Sequence, residues 1–338
     1  MKGIDVNPLG IVGIGFVEFG GLGQAEMAGL NRLGFQRQGS PGSAEILQKG
    51  GVQFVANKAE GSLAAAFGAE HGPAVAAWAM RVEDPAGALD AAVARGAKPY
   101  SARHRLLVDV PTVEGIGGTA IYLVPKNFAL GGGAMCADEP GCAIDHLTHN
   151  VATNAFDKWV SFFRSVFGFD LVWAFETRGQ ATGFATNALR SPCGTFCLTF
   201  NKPDEPKSQI QEFLDVLGGE GIQHIAISTK NIYDEVAQLR SNRIEFLPLP
   251  AEYYRDAKKK DLARAEDIAR LESLGIYIDG EMHDEKPQLL LQIFTKQTIG
   301  PMFFEFIQRK NNRGFGEGNG RALFEAMERD QFERGVLK

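Results

Sequence analysis

The sequence predicts an α+β fold of two tandem modules, each an open and curved sheet, on three observations. A strand–helix–strand order occurs twice at similar lengths. The strands are widely spaced and amphipathic rather than continuously apolar, which argues against a doubly wound parallel sheet. Between the copies lies a stretch with Gly131, Gly132, Gly133, Pro140 and Gly141 and little periodicity, the natural linker.

The elements follow in order. Ile11 to Phe19 predicts a first strand, and Ala77 to Val82 another. A helix follows over Ala86 to Arg95, Gly96 turns the chain, and Gly118 to Asn127 closes the copy as a strand. The second copy repeats this with Ala143 to Val151, His224 to Thr229, a helix over Ile232 to Arg240, a strand at Ile244–Phe246, and Pro301 to Lys310. The domains are therefore expected at 1–135 and 136–338. In this pairing His146 falls opposite Ile14, His224 opposite Ala77 and Glu305 opposite Tyr122. The first copy is expected to be metal-free, stacking against the second and building oligomer contacts.

At 338 residues, 44% hydrophobic and 22% charged, the chain is long enough for two cores. A formal charge of -6 argues against a broad nucleic-acid footprint, and the Lys258–Lys260 run reads as a solvated helix face. No run of about 18 apolar residues predicts a membrane span, and Met1 to Pro8 lacks the pattern of a secretory leader, so the expectation is cytoplasmic. Cys136, Cys142, Cys193 and Cys197 lack paired C-x-x-C spacing and are expected to be free thiols. Cys193 and Cys197, four apart in a strand-like segment, leave a weak metal-clip reading.

Three apolar, strand-like runs each carry a metal-capable side chain: Ile144-Asp145-His146-Leu147-Thr148-His149-Asn150, Gly221-Ile222-Gln223-His224-Ile225-Ala226-Ile227 and Phe303-Phe304-Glu305-Phe306-Ile307-Gln308-Arg309. Alternation puts His146 and His149 on opposite faces, so only one can be a ligand. His224 shares its face with the small Ala226 and Ser228, whereas Gln223 and Ile225 are expected on the other side. Glu305 lies between two phenylalanines, where a lone carboxylate is costly to bury. Its compensation is a cation, either a metal or a base such as Arg309. Two histidines and one carboxylate form a facial iron site with open positions. They also suit hydrolytic zinc, although no H-E-x-x-H helix is present.

On Leu289 to Phe294, Gln292 and Phe294 share one face, and Phe303 shares the face of Glu305; the two rings also fit plain core. Asn201 and Gln209 add amides able to bind a phenol or a carboxylate. The glycine-rich Gly314 to Gly320 precedes a helix over Arg321 to Glu333, expected to close over the pocket, and Ala251 to Leu274 reads as a surface helical excursion.

With these runs in hand, the chain closely resembles the 4-hydroxyphenylpyruvate dioxygenase family over nearly its whole length. Asn7-Pro8-Leu9-Gly10, Glu70-His71-Gly72-Pro73, Gly115-Ile116-Gly117-Gly118 and Glu328-Arg329-Asp330-Gln331 also look like its bacterial members. The resemblance implies two tandem vicinal-oxygen-chelate (glyoxalase/bleomycin-resistance-like) domains of paired βαβββ modules, the second holding the catalytic half-barrel. It implies one Fe(II) per subunit on His146, His224 and Glu305, chelated by the substrate's α-keto acid. With O2, 4-hydroxyphenylpyruvate would give homogentisate by decarboxylation, ring hydroxylation and side-chain migration. Gln292, Gln209 and Asn201 would act on the substrate, with Thr186, Gln223, Phe294, Phe303, Phe315 and Asn319 around it. Asn201 favours ring hydroxylation over the benzylic outcome of the sister hydroxymandelate synthase, which typically has an apolar residue there. Other rivals are another arylpyruvate oxygenase, a zinc enzyme and a non-catalytic binding protein of the same scaffold. The departures are Thr186 for serine, Thr199 for proline, Lys202 for glutamate and Gly320 for phenylalanine. A homotetramer or homodimer is the family's habit.

Overall fold

The computed structural model describes residues 6–39, 42–101, 103–132, 141–259, 262, 265–283 and 286–337. The expected 135/136 boundary, Gly133 to Pro140, Cys136 and Lys260 lie outside them, as do the side chains of Lys258 and Lys259.

The first half runs β1 (Ile11–Gly20), α1 (Gln24–Arg32), β2 (Gln36–Gly39), β3 (Ala44–Lys49), β4 (Val52–Asn57), α2 (Leu63–His71), β5 (Ala74–Val82), α3 (Pro85–Ala94), β6 (Thr112–Glu114) and β7 (Ala120–Pro125). The second runs β8 (Ile144–Asn150), α4 (Phe156–Phe167), β9 (Asp170–Arg178), β10 (Gly183–Arg190), β11 (Cys197–Pro203), α5 (Gln209–Leu217), β12 (Gly221–Ser228), α6 (Ile232–Ser241), α7 (Ala251–Lys259), α8 (Ile268–Leu274), β13 (Tyr277–His283), β14 (Lys286–Phe294), β15 (Phe303–Lys310) and α9 (Glu317–Glu333).

Local chemistry sets these limits. In α4 the buried Phe156, Val160, Phe163 and Phe167 recur at helical spacing, and Gly168 ends the helix in the left-handed region at φ 76. Ser208 starts α5 by accepting the amide of Gln211, and Asn231 starts α6 by accepting those of Tyr233 and Asp234.

The sheet orders are β2-β3-β4-β1-β5-β7-β6 and β13-β14-β15-β12-β8-β11-β10-β9. Their centres match: β1–β4 and β8–β11 are parallel, β1–β5 and β8–β12 antiparallel, β5–β7 and β12–β15 parallel. The expected duplication is thus one of topology. In the second half both βαβββ units are complete. In the first half, only β6 and β7 follow α3 among the described residues.

Three expectations change. Ile244–Phe246 is not a strand: Phe246 makes one isolated bridge to Thr295, and the strand after α6 is β13, reached through α7 and α8. Cys193 lies in the turn between β10 and β11 rather than on a strand face with Cys197, and its thiol meets the hydroxyls of Ser191 and Thr195. Finally, Glu18 pairs with Ala77 as Thr148 pairs with His224, so two residues back the equivalent of His146 is Phe16. The offset from Ile14 arises at the register shift between Ile14 and Val17. Ala77 and Tyr122 do hold the places of His224 and Glu305.

The sheets pack through the faces turned away from the site. Phe54 meets Phe304 at 5.9 Å and Trp78 meets Phe196 at 6.4 Å between ring centroids, within one buried cluster that also holds Leu147, Ile225 and Phe306. Each such side chain contributes about 1.5–3 kcal/mol on burial. Lys49 adds a cross-half ion pair to Glu235 at 2.6 Å. This back-to-back core leaves the inner face of the second sheet free to curl around a pocket.

Candidate metal centre and pocket

Three neighbouring strands supply the centre. His146 on β8 pairs with Ala226 on β12, Ala226 pairs with Glu305 on β15, and His224 lies two residues before Ala226. Side chains two apart share a face, so all three point to the inner side. Their candidate ligand atoms lie within 4.8 Å of one another. His146 Nε2 is 3.2 Å and His224 Nε2 3.5 Å from Glu305 Oε2. All three residues are buried, with Glu305 1% exposed.

Each ligand is held from behind. Glu305 Oε1 accepts the Gln292 amide at 2.7 Å, leaving Oε2 inward. His146 Nδ1 meets Asp145 Oδ1 at 2.9 Å, and His224 Nδ1 meets Gln223 Oε1 at 3.2 Å. With Nδ1 as donor, each imidazole aims Nε2 at the centre, where the neutral ring offers its lone pair to a metal that displaces the proton. Arg309 does not compensate Glu305; it binds Asp145 through two nitrogens at 2.7 and 2.8 Å. Burial would raise the Glu305 pKa, but the two histidines hold it down at about 2. Burial likewise would lower His146, yet Glu305 and Asp145 raise it to about 9. A buried carboxylate with two imidazole nitrogens is a donor set that fits a divalent N/O-binding metal.

His149 takes the other face, as alternation requires, stacking on Phe200 at 5.3 Å, and burial lowers its pKa to about 4. Gln223 departs from alternation. A register shift between Ile222 and His224 turns both Gln223 and His224 toward the pocket, where Gln223 donates to Gln209 Oε1 at 2.9 Å.

The pocket encloses about 90 Å³ and is lined by Thr186, Asn201, Gln209, Gln223, Gln292, Phe294 and Phe315, among others. Trp173 and Phe175 wall one side; Leu323, Phe324 and Met327 of α9 cover it. Phe315 sets its ring edge-on to His146 at 5.8 Å. Thr199 also lines the pocket, its hydroxyl on that of Thr148, which in turn meets His224 Nε2 at 2.9 Å. A Cβ at Gly320 would meet nothing within 4 Å.

Two expected pocket residues stand one step back. Phe303 stacks on His224 at 4.6 Å and lines an adjoining cavity of about 510 Å³ instead. Asn319, wholly buried, donates to Gln292 Oε1 at 2.7 Å, behind the pocket wall. Its Oδ1 is 2.7 Å from the hydroxyl of Tyr253 on α7, so the helical excursion buttresses the centre through Tyr253–Asn319–Gln292–Glu305.

Sequence reasoning missed this use of Tyr253, and also Asp145 and Glu328. Asp145 was visible only as the neighbour of His146. Glu328, 2% exposed, accepts the amides of Gln180, Ala181 and Thr182 and the Thr182 hydroxyl at 2.6–3.0 Å, fastening α9 to the β9–β10 turn. A helix-borne carboxylate bound to a distant turn leaves no local pattern.

A curled sheet bearing two histidines and a glutamate, on a doubled βαβββ scaffold, defines a metal-dependent enzyme of the glyoxalase and dioxygenase class. Comparisons with known proteins agree. Residues 6–131 match the family model described as hydroxyphenylpyruvate dioxygenase, N-terminal; residues 143–261 match that of the glyoxalase, bleomycin resistance protein and dioxygenase superfamily. The chain is 40% identical to a 4-hydroxyphenylpyruvate dioxygenase of Legionella pneumophila, covering 98% of each. It is 37% identical to one of Pseudomonas aeruginosa, covering 98% of this chain and 97% of that one. A solved mutant of 4-hydroxymandelate synthase from Streptomyces coelicolor superposes with a TM-score of 0.80 at 26% identity, over 95% of this chain and 99% of that one. This chain belongs to the 4-hydroxyphenylpyruvate dioxygenase family.

Proposed function

We propose that the protein is an Fe(II)-dependent dioxygenase converting 4-hydroxyphenylpyruvate and O2 to homogentisate and CO2, with the metal on His146, His224 and Glu305. The observation that carries this is the convergence of Glu305 Oε2 and two histidine Nε2 atoms beneath a pocket lined by amides and aromatic rings. Fe(II), when bound, would supply open positions for the substrate's α-keto acid and for O2.

The chain's own residues set the conditions. Gln292 keeps Glu305 Oε2 turned inward, and Asp145 keeps the His146 ring in place. Trp173 and Phe175 offer faces for an aromatic ring, and Asn201, Gln209 and Gln223 offer amides to its phenol. Thr186 adds a hydroxyl. Phe315, Leu323 and Met327 shield the reacting carbons from water. One oxygen atom enters the new carboxylate as CO2 leaves, and the other enters the ring.

Asn201 favours this outcome over benzylic oxidation. Its side chain donates to Asn150 Oδ1 at 3.1 Å and lies among the pocket residues, so a polar group faces the substrate there. The same reading divides the domains at 135/136 and places the enzyme in the cytoplasm as a homotetramer or homodimer. Leu171 and Val172, 41% and 39% exposed on the edge strand β9, are apolar surface suited to a neighbouring subunit.

The test is anaerobic loading with Fe(II), then addition of 4-hydroxyphenylpyruvate and air, with oxygen uptake and product followed together. Homogentisate formation, lost in Glu305→Ala, is expected. 4-Hydroxymandelate would move the protein to the sister activity, and activity with zinc in place of iron would overturn the metal.

A further inference from the structure

Behind the metal centre, beyond Asp145, lies a second cavity of about 360 Å³ between the β10–β11 turn and the segment after β15. Arg190, Arg309 and Arg313 line it together with Asn312, Thr195, Gly194, Phe196 and Cys197. Asp145 is the single carboxylate in this lining, and its oxygens are already committed to Arg309 and to His146. Arg190 and Arg313 are in no ion pair among the described residues.

Arg190 is not loose. Its Nη2 donates to the Arg313 carbonyl at 2.9 Å, tying strand β10 to the segment that carries Arg313. Arg309 donates from Nη1 to the Gly314 carbonyl at 2.5 Å and from its other two nitrogens to Asp145. Three guanidinium groups are thus gathered around one concavity, two of them without a counter-charge. Like charges so placed repel one another, and the wall of Phe196 and the buried Cys197 weakens screening on one side. With Arg309 paired to Asp145, Arg190 and Arg313 leave the concavity net positive, a charge that a bound anion would balance. Guanidinium groups also match the paired oxygens of a phosphate or a carboxylate.

We propose that this cavity is a binding site for a small dianion carrying phosphate or paired carboxylate groups. Arg190 and Arg313 are its cations without a counter-charge, and its neutral partners are the second N–H of Asn312 Nδ2, which also donates to Gln288 O at 3.1 Å, and the hydroxyl of Thr195, which also meets Cys193 Sγ at 3.1 Å. The site is distinct from the substrate pocket, which lies on the other side of His146 and shares no lining residue with it. Arg309 belongs to this cavity and, through Asp145, stands two links from a metal ligand.

The experiment is calorimetric titration of the iron-loaded, full-length protein with inorganic phosphate and, separately, with succinate, at an ionic strength held constant with sodium chloride. Saturable binding of one equivalent, with Kd on the order of 1 mM or tighter, is expected for at least one probe, and the stronger arm identifies the oxyanion class. Arg313→Gln, an exposed side chain whose loss leaves the fold intact, should weaken binding at least tenfold, and Arg190→Gln likewise. Arg95→Gln, an equal charge change at the end of α3, should leave it unchanged. No saturable heat with either probe would overturn the proposal. So would equal weakening in Arg95→Gln, which reports net charge alone, or binding that survives Arg313→Gln but is lost in Glu305→Ala, which places the anion at the metal.

Discussion

Asp145 and Arg309 form a two-point ion pair directly behind His146, a candidate metal ligand, with N–O distances of 2.7 and 2.8 Å, while the same carboxylate meets His146 Nδ1 at 2.9 Å. Burial would raise the Asp145 pKa, but Arg309 and His146 hold it well below the usual carboxylate range. A permanently ionised partner fixes the Nδ1–H tautomer and makes Nε2 a better donor to a metal. Asp145→Asn should therefore weaken metal binding about 10–100-fold with the fold retained. Competition against a chromophoric chelator measures this, and unchanged affinity would remove Asp145 from the centre.

Glu328 holds the covering helix shut. It gathers three backbone amides and one hydroxyl of the turn Gln180–Thr182, so α9 cannot lift without stranding those donors. The pocket of about 90 Å³ lies beneath α9, and the cavity of about 510 Å³ next to it shares Gln209, Gln223 and Met327. Met327 of α9 lines both spaces, so the expectation is that substrate enters as α9 moves. In Glu328→Ala the open form should gain about 2 kcal/mol, roughly 30-fold in population. Hydrogen exchange over 317–333 should accelerate by that factor, and kcat should fall as water reaches the centre. Unaltered exchange would show that the contact is not a latch.

Gly320 opens on the pocket, and no atom lies within 4 Å of where its Cβ would be. Gly320→Phe should restore an aromatic wall, lowering KM and raising affinity for aromatic inhibitors several-fold, with metal binding unchanged. Burying a phenyl ring contributes about 1.5–3 kcal/mol, which gives roughly a 4- to 13-fold effect if half is realised. Equal kinetics and inhibitor affinity in both proteins would mean that the space at Gly320 does not touch the substrate.

The candidate metal centre was legible because its three residues break apolar strands, and an ionisable group in such a run needs a partner. The doubled topology was legible because strand and helix periods recur at matching intervals. What was illegible depends on register and on distant contacts. The shift at Ile222–His224 turns Gln223 against the two-residue rule, and another in β1 displaces the counterpart of His146 from Ile14 to Phe16. Neither irregularity has a local sequence signature. Tyr253, Asn319 and Glu328 act across 66, 27 and about 147 residues of chain, where periodicity gives no information.

The first copy keeps a trace of the same architecture in Glu18, which occupies the place of Thr148 beneath Tyr122, the counterpart of Glu305. Glu18 is wholly buried and accepts the Tyr122 hydroxyl and the Asn57 amide, both at 2.6 Å. Burial raises its pKa above the ordinary 4.5, against the lowering effect of those two hydrogen bonds. A carboxyl group with a raised folded-state pKa binds its proton more tightly in the native protein than in the unfolded chain. Its contribution to stability is fully present below the unfolded value and is lost as pH rises toward the folded one. Glu18→Gln keeps an acceptor for Tyr122 and removes the titration. Its Tm relative to wild type should therefore climb between pH 4 and pH 7. A difference in Tm that stays constant across that range would show that Glu18 does not titrate with folding.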